Sequence, residues 1–70
     1  MKWNILHESR GRMRLHLNKK RMSLAEADQL QDYLTALPGV RTAAVYERTC
    51  DVVIVYTESR AGIVRGLAAF

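Results

Sequence analysis

Residues 7–21, HESRGRMRLHLNKKR, contain most of the side chains in this chain that suggest metal or anion binding. The segment has six Lys or Arg residues and two histidines, against the single acid Glu8. His7, Glu8 and His16 offer two imidazoles and a carboxylate, a donor set that borderline divalent metals accept. Their spacing is not specific for a metal site, and surface histidines are far commoner than metal ligands. Metal binding and a plain solvated surface therefore both remain interpretations of these three residues.

The hexapeptide RMRLHL, residues 12–17, alternates strictly between polar and apolar side chains. This pattern predicts a half-buried strand, because successive side chains of a strand point to opposite faces. We expect Met13, Leu15 and Leu17 in the core, and Arg12, Arg14 and His16 in a row on the other face. A slip by one residue would bury the charges. The row is either a solvated surface or a docking face for an acidic partner or anionic lipid.

Other chemistry-bearing residues are few. Cys50 is the only cysteine, so the chain cannot form an intrachain disulfide, and a soft-metal site needs at least two thiolates. We expect Cys50 at the tip of a hairpin. The sequence has no phosphate-binding loop, no paired carboxylates on one face and no Ser/His/Asp set. We therefore predict that this chain alone is not an enzyme, with no catalytic residues and no cofactor.

The elements that position these residues follow from local patterns. KWNIL and RMRLHL read as two strands of a hairpin, with Ser9 and Gly11 in its turn. Ser23 and Glu26 form the S-x-x-E capping box of a helix, which LPGV ends. RTAAVYERTCDVVIVYT reads as two strands around a tight connection, and SRAGIVRGLAAF as a final helix capped by Ser59.

The predicted order is therefore ββαββα. Two amphipathic helices can cover only one face of a four-stranded sheet, so we predict a two-layer α+β sandwich. Val53 and Val55 should lie on the open face beside the basic row, where exposed aliphatic groups suggest contact with a partner. A chain of 70 residues is long enough for one domain, spanning residues 1–70.

Charge is unevenly distributed along the chain. The net charge of +4 divides into +6 for residues 1–22 (seven Lys or Arg, one acid) and −2 for residues 23–70 (four Lys or Arg, six acids). This division predicts one positive face on a mildly acidic remainder. The longest apolar run, VVIVY, is too short to span a bilayer.

The segments HESRGRMRLHL, RMSLAEADQLQDYL, LPGVRTAAVYERTCDVVIVY and SRAGIVRGLAAF together resemble a known family. They are similar to the cytoplasmic N-terminal heavy-metal-associated domain of bacterial heavy-metal-translocating P-type ATPases. The resemblance covers nearly the whole chain and implies a ferredoxin-like fold. It also implies a cytoplasmic domain tethered to the membrane through the parent pump.

Two departures from the family qualify this resemblance. Metal-carrying members hold Cu(I) or Zn(II) with a CxxC motif before the first helix, whereas the corresponding LNKKRMSLAEA has no cysteine. The family order is βαββαβ, whereas this chain adds KWNIL at the start and lacks a final strand. We therefore expect a circular permutation, with the strand order N-terminal strand, hairpin partner, fourth strand, third strand.

These observations predict a non-catalytic N-terminal regulatory or docking domain of a heavy-metal-transporting P-type ATPase. Its expected partner is the remainder of the pump or an anionic membrane surface, and a second copy of the chain is an alternative through the open sheet face. The rival functions are a free-standing basic module for nucleic acid or anionic surfaces, and a metallochaperone-like domain. Nucleic acid is disfavoured because Trp3 is the only aromatic expected near the basic row, and a valine pair offers no stacking surface.

Overall fold

The computed structural model of the chain describes residues 2–57 and 60–70. Its elements, in chain order, are β1 (Trp3–Ser9), β2 (Arg12–Leu17), α1 (Leu24–Thr35), β3 (Val40–Tyr46), β4 (Asp51–Tyr56) and α2 (Arg60–Ala69). The predicted order ββαββα and the α+β class are confirmed. The predicted helix cap, Ser59, lies outside the described residues.

The four strands form a single antiparallel sheet in the order β1-β2-β4-β3. This is the order predicted from the extra N-terminal strand, and it is consistent with a ferredoxin-like arrangement. The two central strands are β2, which carries the basic row, and β4, which carries the two valines. The candidate residues are therefore held on the two strands that have hydrogen-bonded neighbours on both sides.

Two glycines with positive φ shape the turns next to the sheet. Gly11 (φ 78°) follows Arg10 in the two-residue connection between β1 and β2, and an added Cβ would lie 3.2 Å from the carbonyl oxygen of Tyr56. Gly39 (φ 83°) follows Pro38 after α1, and the Val40 amide donates to the Leu37 carbonyl at 3.2 Å. Proline followed by a positive-φ glycine is the signature of a type II turn.

The first helix begins at the predicted capping box. The Ser23 hydroxyl accepts from the Glu26 amide at 3.1 Å, and the Glu26 carboxylate accepts from the Ser23 amide at 3.1 Å. The Glu26 carboxylate also accepts from Lys19, and the hydrogen bonds from Lys19 and Ser23 hold its pKa below the ordinary value. The cap thus joins the end of the basic segment to the helix.

One apolar core lies between the sheet and the helices. Met13, Leu15 and Leu17 of β2 are fully buried, as the alternation predicted. They share the core with the following buried residues: Ala27, Leu30 and Leu34 of α1, Val52 and Ile54 of β4, and Ile63 and Leu67 of α2. The opposite face of the sheet is called the open face below, since neither helix packs against it.

Strand β1 is longer than the predicted KWNIL and contains an irregularity. Its pairing with β2 shifts register between Ile5 and His7, so Leu6 occupies an extra position and is 56% exposed. An extra residue of this kind reverses the faces of all the residues after it. His7 therefore lies opposite Arg14 on the open face, and Glu8 lies opposite Met13 on the helix side.

Candidate functional site

The basic row, defined as Arg12, Arg14 and His16, lies on the open face as predicted. On the neighbouring strand β4, their pairing partners are Val55, Val53 and Asp51 respectively. Directly paired residues in an antiparallel sheet project from the same face. Arg12 and Arg14 are exposed and His16 is half-buried. The structure therefore places guanidinium groups and aliphatic side chains side by side on one surface.

Val53 and Val55 are half-buried, although no helix covers them. Their partners on β3 are Ala44 and Thr42, so the valine surface continues across the third strand. The two valines are thus partly covered by the side chains of the neighbouring strands and partly open to a partner.

Asp51 is the best-anchored polar residue of the open face. Its residue exposure is 7%, and its carboxylate accepts hydrogen bonds from two members of the basic row. Arg14 Nη2 lies 3.0 Å from Oδ2, and His16 Nδ1 lies 2.8 Å from Oδ1. The hydrogen bonds from His16 and from Arg14 hold the pKa of Asp51 below its ordinary value of 3.8, against the opposing effect of desolvation.

This contact also assigns a proton on His16. An ionised carboxylate can only accept hydrogen bonds, so Nδ1 of His16 must carry the hydrogen that it donates to Asp51. The imidazole and the Arg14 guanidinium are thereby both oriented by the same carboxylate. Two of the three side chains in the basic row are consequently fixed, whereas Arg12 has no ion-pair partner among the described residues.

An open groove with a volume of about 600 Å³ lies beside the basic row. Its lining residues are Arg12, Arg14, Tyr46, Glu47, Arg48, Thr49 and Val53. Tyr46 pairs with Asp51 and is 50% exposed, so an aromatic ring stands on the open face. The groove combines arginines, an aromatic ring and an aliphatic floor on one surface.

The sequence interpretation missed Asp51 and Tyr46. The alternation of DVVIVY does place Asp51 on the same face as Val53, and that parity was a usable signal for an acid opposite the basic row. The face of Tyr46 could not be assigned in the same way. Ala43 and Ala44 are adjacent, small and apolar, so β3 does not alternate clearly between polar and apolar residues.

Trp3 does not lie near the basic row on the open face, contrary to the expectation. It pairs with Leu17, whose side chain is fully buried, so Trp3 is on the helix side and packs against the core. The strand alternation fixes this side, because Trp3 and Ile5 both face the helices. The aromatic residue of the open face is therefore Tyr46, on the opposite edge strand.

The structure does not bring His7, Glu8 and His16 together on one face of the sheet. Glu8 is on the helix side, where its Oε2 accepts from Arg60 Nε at 2.6 Å and from the Tyr56 hydroxyl at 3.4 Å. His16 is bound to Asp51. Within residues 2–57 and 60–70, no three His, Cys, Asp or Glu side chains are grouped to hold a metal ion.

Cys50 ends the connection between β3 and β4 as predicted, but it is not a surface residue. It is 3% exposed, belongs to the core and has a φ of 57°. Its carbonyl accepts from the Leu17 amide at 2.7 Å, which joins the end of β2 to this loop. The thiol is therefore enclosed under the sheet and does not line the groove.

The two helices differ in charge. Helix α1 carries Glu26, Asp28 and Asp32, all exposed, and no basic residue. Helix α2 carries Arg60 and Arg65 and no acid. The basic row on β2 therefore faces away from one acidic helix, α1, and from one basic helix, α2.

Comparison with known proteins adds no further constraint. No family model, no curated protein and no solved structure matches this chain. Neither of the two helices in the described part of the chain has the length and hydrophobicity needed to cross a membrane.

Proposed function

We propose that this chain is a non-catalytic docking domain whose open face binds an acidic protein surface. One observation carries the proposal: the basic row lies directly beside Val53 and Val55 on a sheet face that neither helix covers. Charged groups give such a contact its orientation and association rate, and apolar groups give it buried area.

Arg14 and His16 are already oriented before any partner arrives. Asp51 holds both side chains through contacts of 3.0 and 2.8 Å, so little additional side-chain entropy is lost when a partner binds them. Arg12 makes no such contact with any residue of 2–57 or 60–70, which leaves its guanidinium for a carboxylate of the partner. An arginine presents several donors in a fixed fork, which suits bidentate binding of carboxylates.

The partial burial of the valines favours a protein partner over a lipid surface. A membrane attracts basic residues by charge, and it gains affinity when apolar groups enter the acyl region. Val53 and Val55 are half-buried in the sheet, so only part of each side chain could enter an acyl layer. A folded acidic surface can contact the valines and the arginines together.

Charge also disfavours pairing of two copies through the open face. A symmetric contact of this kind would bring the basic rows of both copies together, and like charges in an interface are destabilising. The acids next to the row, Asp51 and Glu47, do not remove this difficulty, because Asp51 is already bound to Arg14 and His16. A partner with exposed carboxylates is the better match.

We further propose that the partner is the remainder of a heavy-metal-transporting P-type ATPase. This part rests on the resemblance of the sequence, and the confirmed strand order supports it by accounting for the extra first strand. The reading frame beyond Phe70 tests it first. Transmembrane segments and a DKTGT-like phosphorylation motif downstream agree with the proposal, whereas a stop codon favours a free-standing module.

The docking contact is tested by nuclear magnetic resonance titration of the ¹⁵N-labelled chain. The titrants are the soluble cytoplasmic domains encoded downstream and, separately, vesicles containing anionic phospholipid. We expect the cytoplasmic domains to shift the amide signals of β2 and β4 around Arg12, Arg14 and Val53, and the vesicles to leave them unchanged. Shifts confined to α1 and α2, or equal shifts with vesicles, would contradict the proposal.

A further inference from the structure

The groove beside the basic row has two chemically different walls. Strand β2 contributes Arg12 and Arg14, and the edge strand β3 contributes Tyr46, with Val53 of the intervening β4 as the floor. Strands in a sheet are about 4.8 Å apart, so the two walls are roughly 10 Å apart across β4. Tyr46 lies directly across β4 from His16, so a ligand that runs obliquely over β4 meets the aromatic ring at one end and the guanidinium of Arg14 at the other.

The aromatic wall suits a flat ring. Tyr46 is 50% exposed, and no other ring is paired with it among the described residues. Exposed aromatic side chains on an antiparallel sheet stack with nucleobases, because every base presents a π face. The valine floor is apolar and excludes water from beneath such a ring.

The basic wall suits a phosphate. Arg12 on this wall has no ion-pair partner in the described part of the chain. Arg14 gives Asp51 a hydrogen bond through Nη2, which leaves its other N–H groups for an anion. Phosphate oxygens match the donor geometry of guanidinium groups.

The carboxylate of Glu47 favours one orientation of a ligand in the groove. Its carboxylate also lines the groove and can only accept hydrogen bonds when ionised. A phosphate is repelled by Glu47, whereas the N–H groups on the edge of a base can donate to it. Glu47 directly follows Tyr46, so the base belongs at the β3 wall and the phosphate at the β2 wall.

We infer that this groove binds a nucleotide, with its base on Tyr46 and its phosphate against Arg12 and Arg14. The groove volume of about 600 Å³ is within the ordinary range for small-ligand sites. This site extends beyond the docking of an acidic protein, because it requires Tyr46, which that docking does not use. The premise that disfavoured nucleic acid, a face without an exposed aromatic ring, does not hold in the folded chain.

The bound nucleotide could be a free nucleotide or one unit of a single-stranded nucleic acid, because both present a base and a phosphate. The amide of Leu17 donates to the carbonyl of Cys50 at 2.7 Å, so the groove loop adjoins the start of the exposed basic loop 18–21. Lys20 and Arg21 in that loop provide further positive charge for neighbouring phosphates. Single-stranded nucleic acid uses this additional charge, and a free nucleotide does not.

The test is a set of nuclear magnetic resonance titrations of the chain with sodium phosphate, AMP and octa-adenylate RNA. We expect AMP to shift the amide signals of Tyr46, Arg48 and Val53 at concentrations where phosphate alone does not. Tyr46→Ala should weaken AMP binding about tenfold, which is the usual effect of removing one stacking partner. Tyr46→Phe should restore binding, since the ring and not the hydroxyl carries the stacking.

Two further comparisons distinguish a free nucleotide from single-stranded nucleic acid and control for unfolding of the variants. If octa-adenylate binds much more tightly than AMP and the difference is lost as salt rises, the ligand is single-stranded nucleic acid. If the two bind equally per nucleotide, the ligand is the free nucleotide. Arg12→Ala should weaken AMP binding, whereas the charge-matched control Arg65→Ala on α2 should not. Equal responses to AMP and phosphate, or an unaffected Tyr46→Ala variant that is folded by circular dichroism, would overturn the inference.

Discussion

Replacement of Asp51 by asparagine tests whether this carboxylate organises the open face. The side chain is 11% exposed and accepts hydrogen bonds from Arg14 and His16, whose side chains are 52% and 43% exposed. Hydrogen bonds to charged groups contribute about 1.5–3 kcal/mol each when buried. Exposed ion pairs contribute only about 0.2–1 kcal/mol.

Because the two donor side chains are about half exposed, the expected loss of stability lies between the ranges for buried and for exposed contacts. Asparagine keeps the shape of the side chain and one acceptor oxygen, so one of the two hydrogen bonds survives in weaker form. We expect Asp51→Asn to lower the free energy of unfolding by about 1–2 kcal/mol at pH 7. In a domain of this size that corresponds to a fall in Tm of roughly 5 to 15 °C.

The contribution of Asp51 to stability should depend on pH in a definite direction. The folded chain holds the pKa of Asp51 below 3.8, so the ionised carboxylate adds stability above that value. This contribution is lost as pH falls through the folded pKa. The difference in Tm between wild type and Asp51→Asn should therefore be constant near neutral pH and should shrink in acid below 3.8.

The assay is thermal unfolding followed by circular dichroism between pH 2 and pH 7. Asp28→Asn on α1 is the matched control, because Asp28 is exposed and takes part in no salt bridge among the described residues. Equal stability of Asp51→Asn and wild type at neutral pH, or a difference that grows in acid, would refute the reasoning.

Three other predictions concern the cap, the core and metal binding. Ser23→Ala removes one partner of the capping box and should lower the free energy of unfolding by about 1 kcal/mol in urea unfolding. Leu15→Ala empties a fully buried site and should cost about 2–5 kcal/mol, which is enough to leave most of this small domain unfolded by circular dichroism. Calorimetric titration should show no sub-micromolar site for Cu(I) or Zn(II); a tight site lost in Cys50→Ser would contradict this.

The fold could be predicted because its main signals are local. The alternation of RMRLHL, the Ser23–Glu26 capping box and the Pro38–Gly39 turn each lie within a few residues. The strand order was predicted from the resemblance, since in the family sheet the last strand lies beside the first and the hairpin places β1 in that position.

The details of the open face could not be predicted because they depend on register between distant segments. Asp51 meets Arg14 and His16 only because β2 pairs with β4 in one register, across 37 and 35 residues of chain. The extra position at Leu6 places His7 on the open face and Glu8 on the helix side, and no residue in HES marks it. Adjacent residues of a strand point to opposite faces in either register, so His7 and Glu8 do not share a face.

The most direct test of docking is the affinity of the cytoplasmic domains of the proposed parent pump for the Arg12→Ala/Arg14→Ala variant. Removing both guanidinium groups should lower the free energy of unfolding by about 1–2 kcal/mol, because Asp51 loses its contact with Arg14, and should weaken binding by the folded chain roughly threefold to tenfold at low salt. Raising salt should weaken wild-type binding in the same way, because these contacts are exposed to screening. The charge-matched control Arg41→Ala/Arg65→Ala removes the same charge outside the basic row and should bind like wild type. Equal weakening of both double variants, or no weakening of either, would contradict a docking role for the open face.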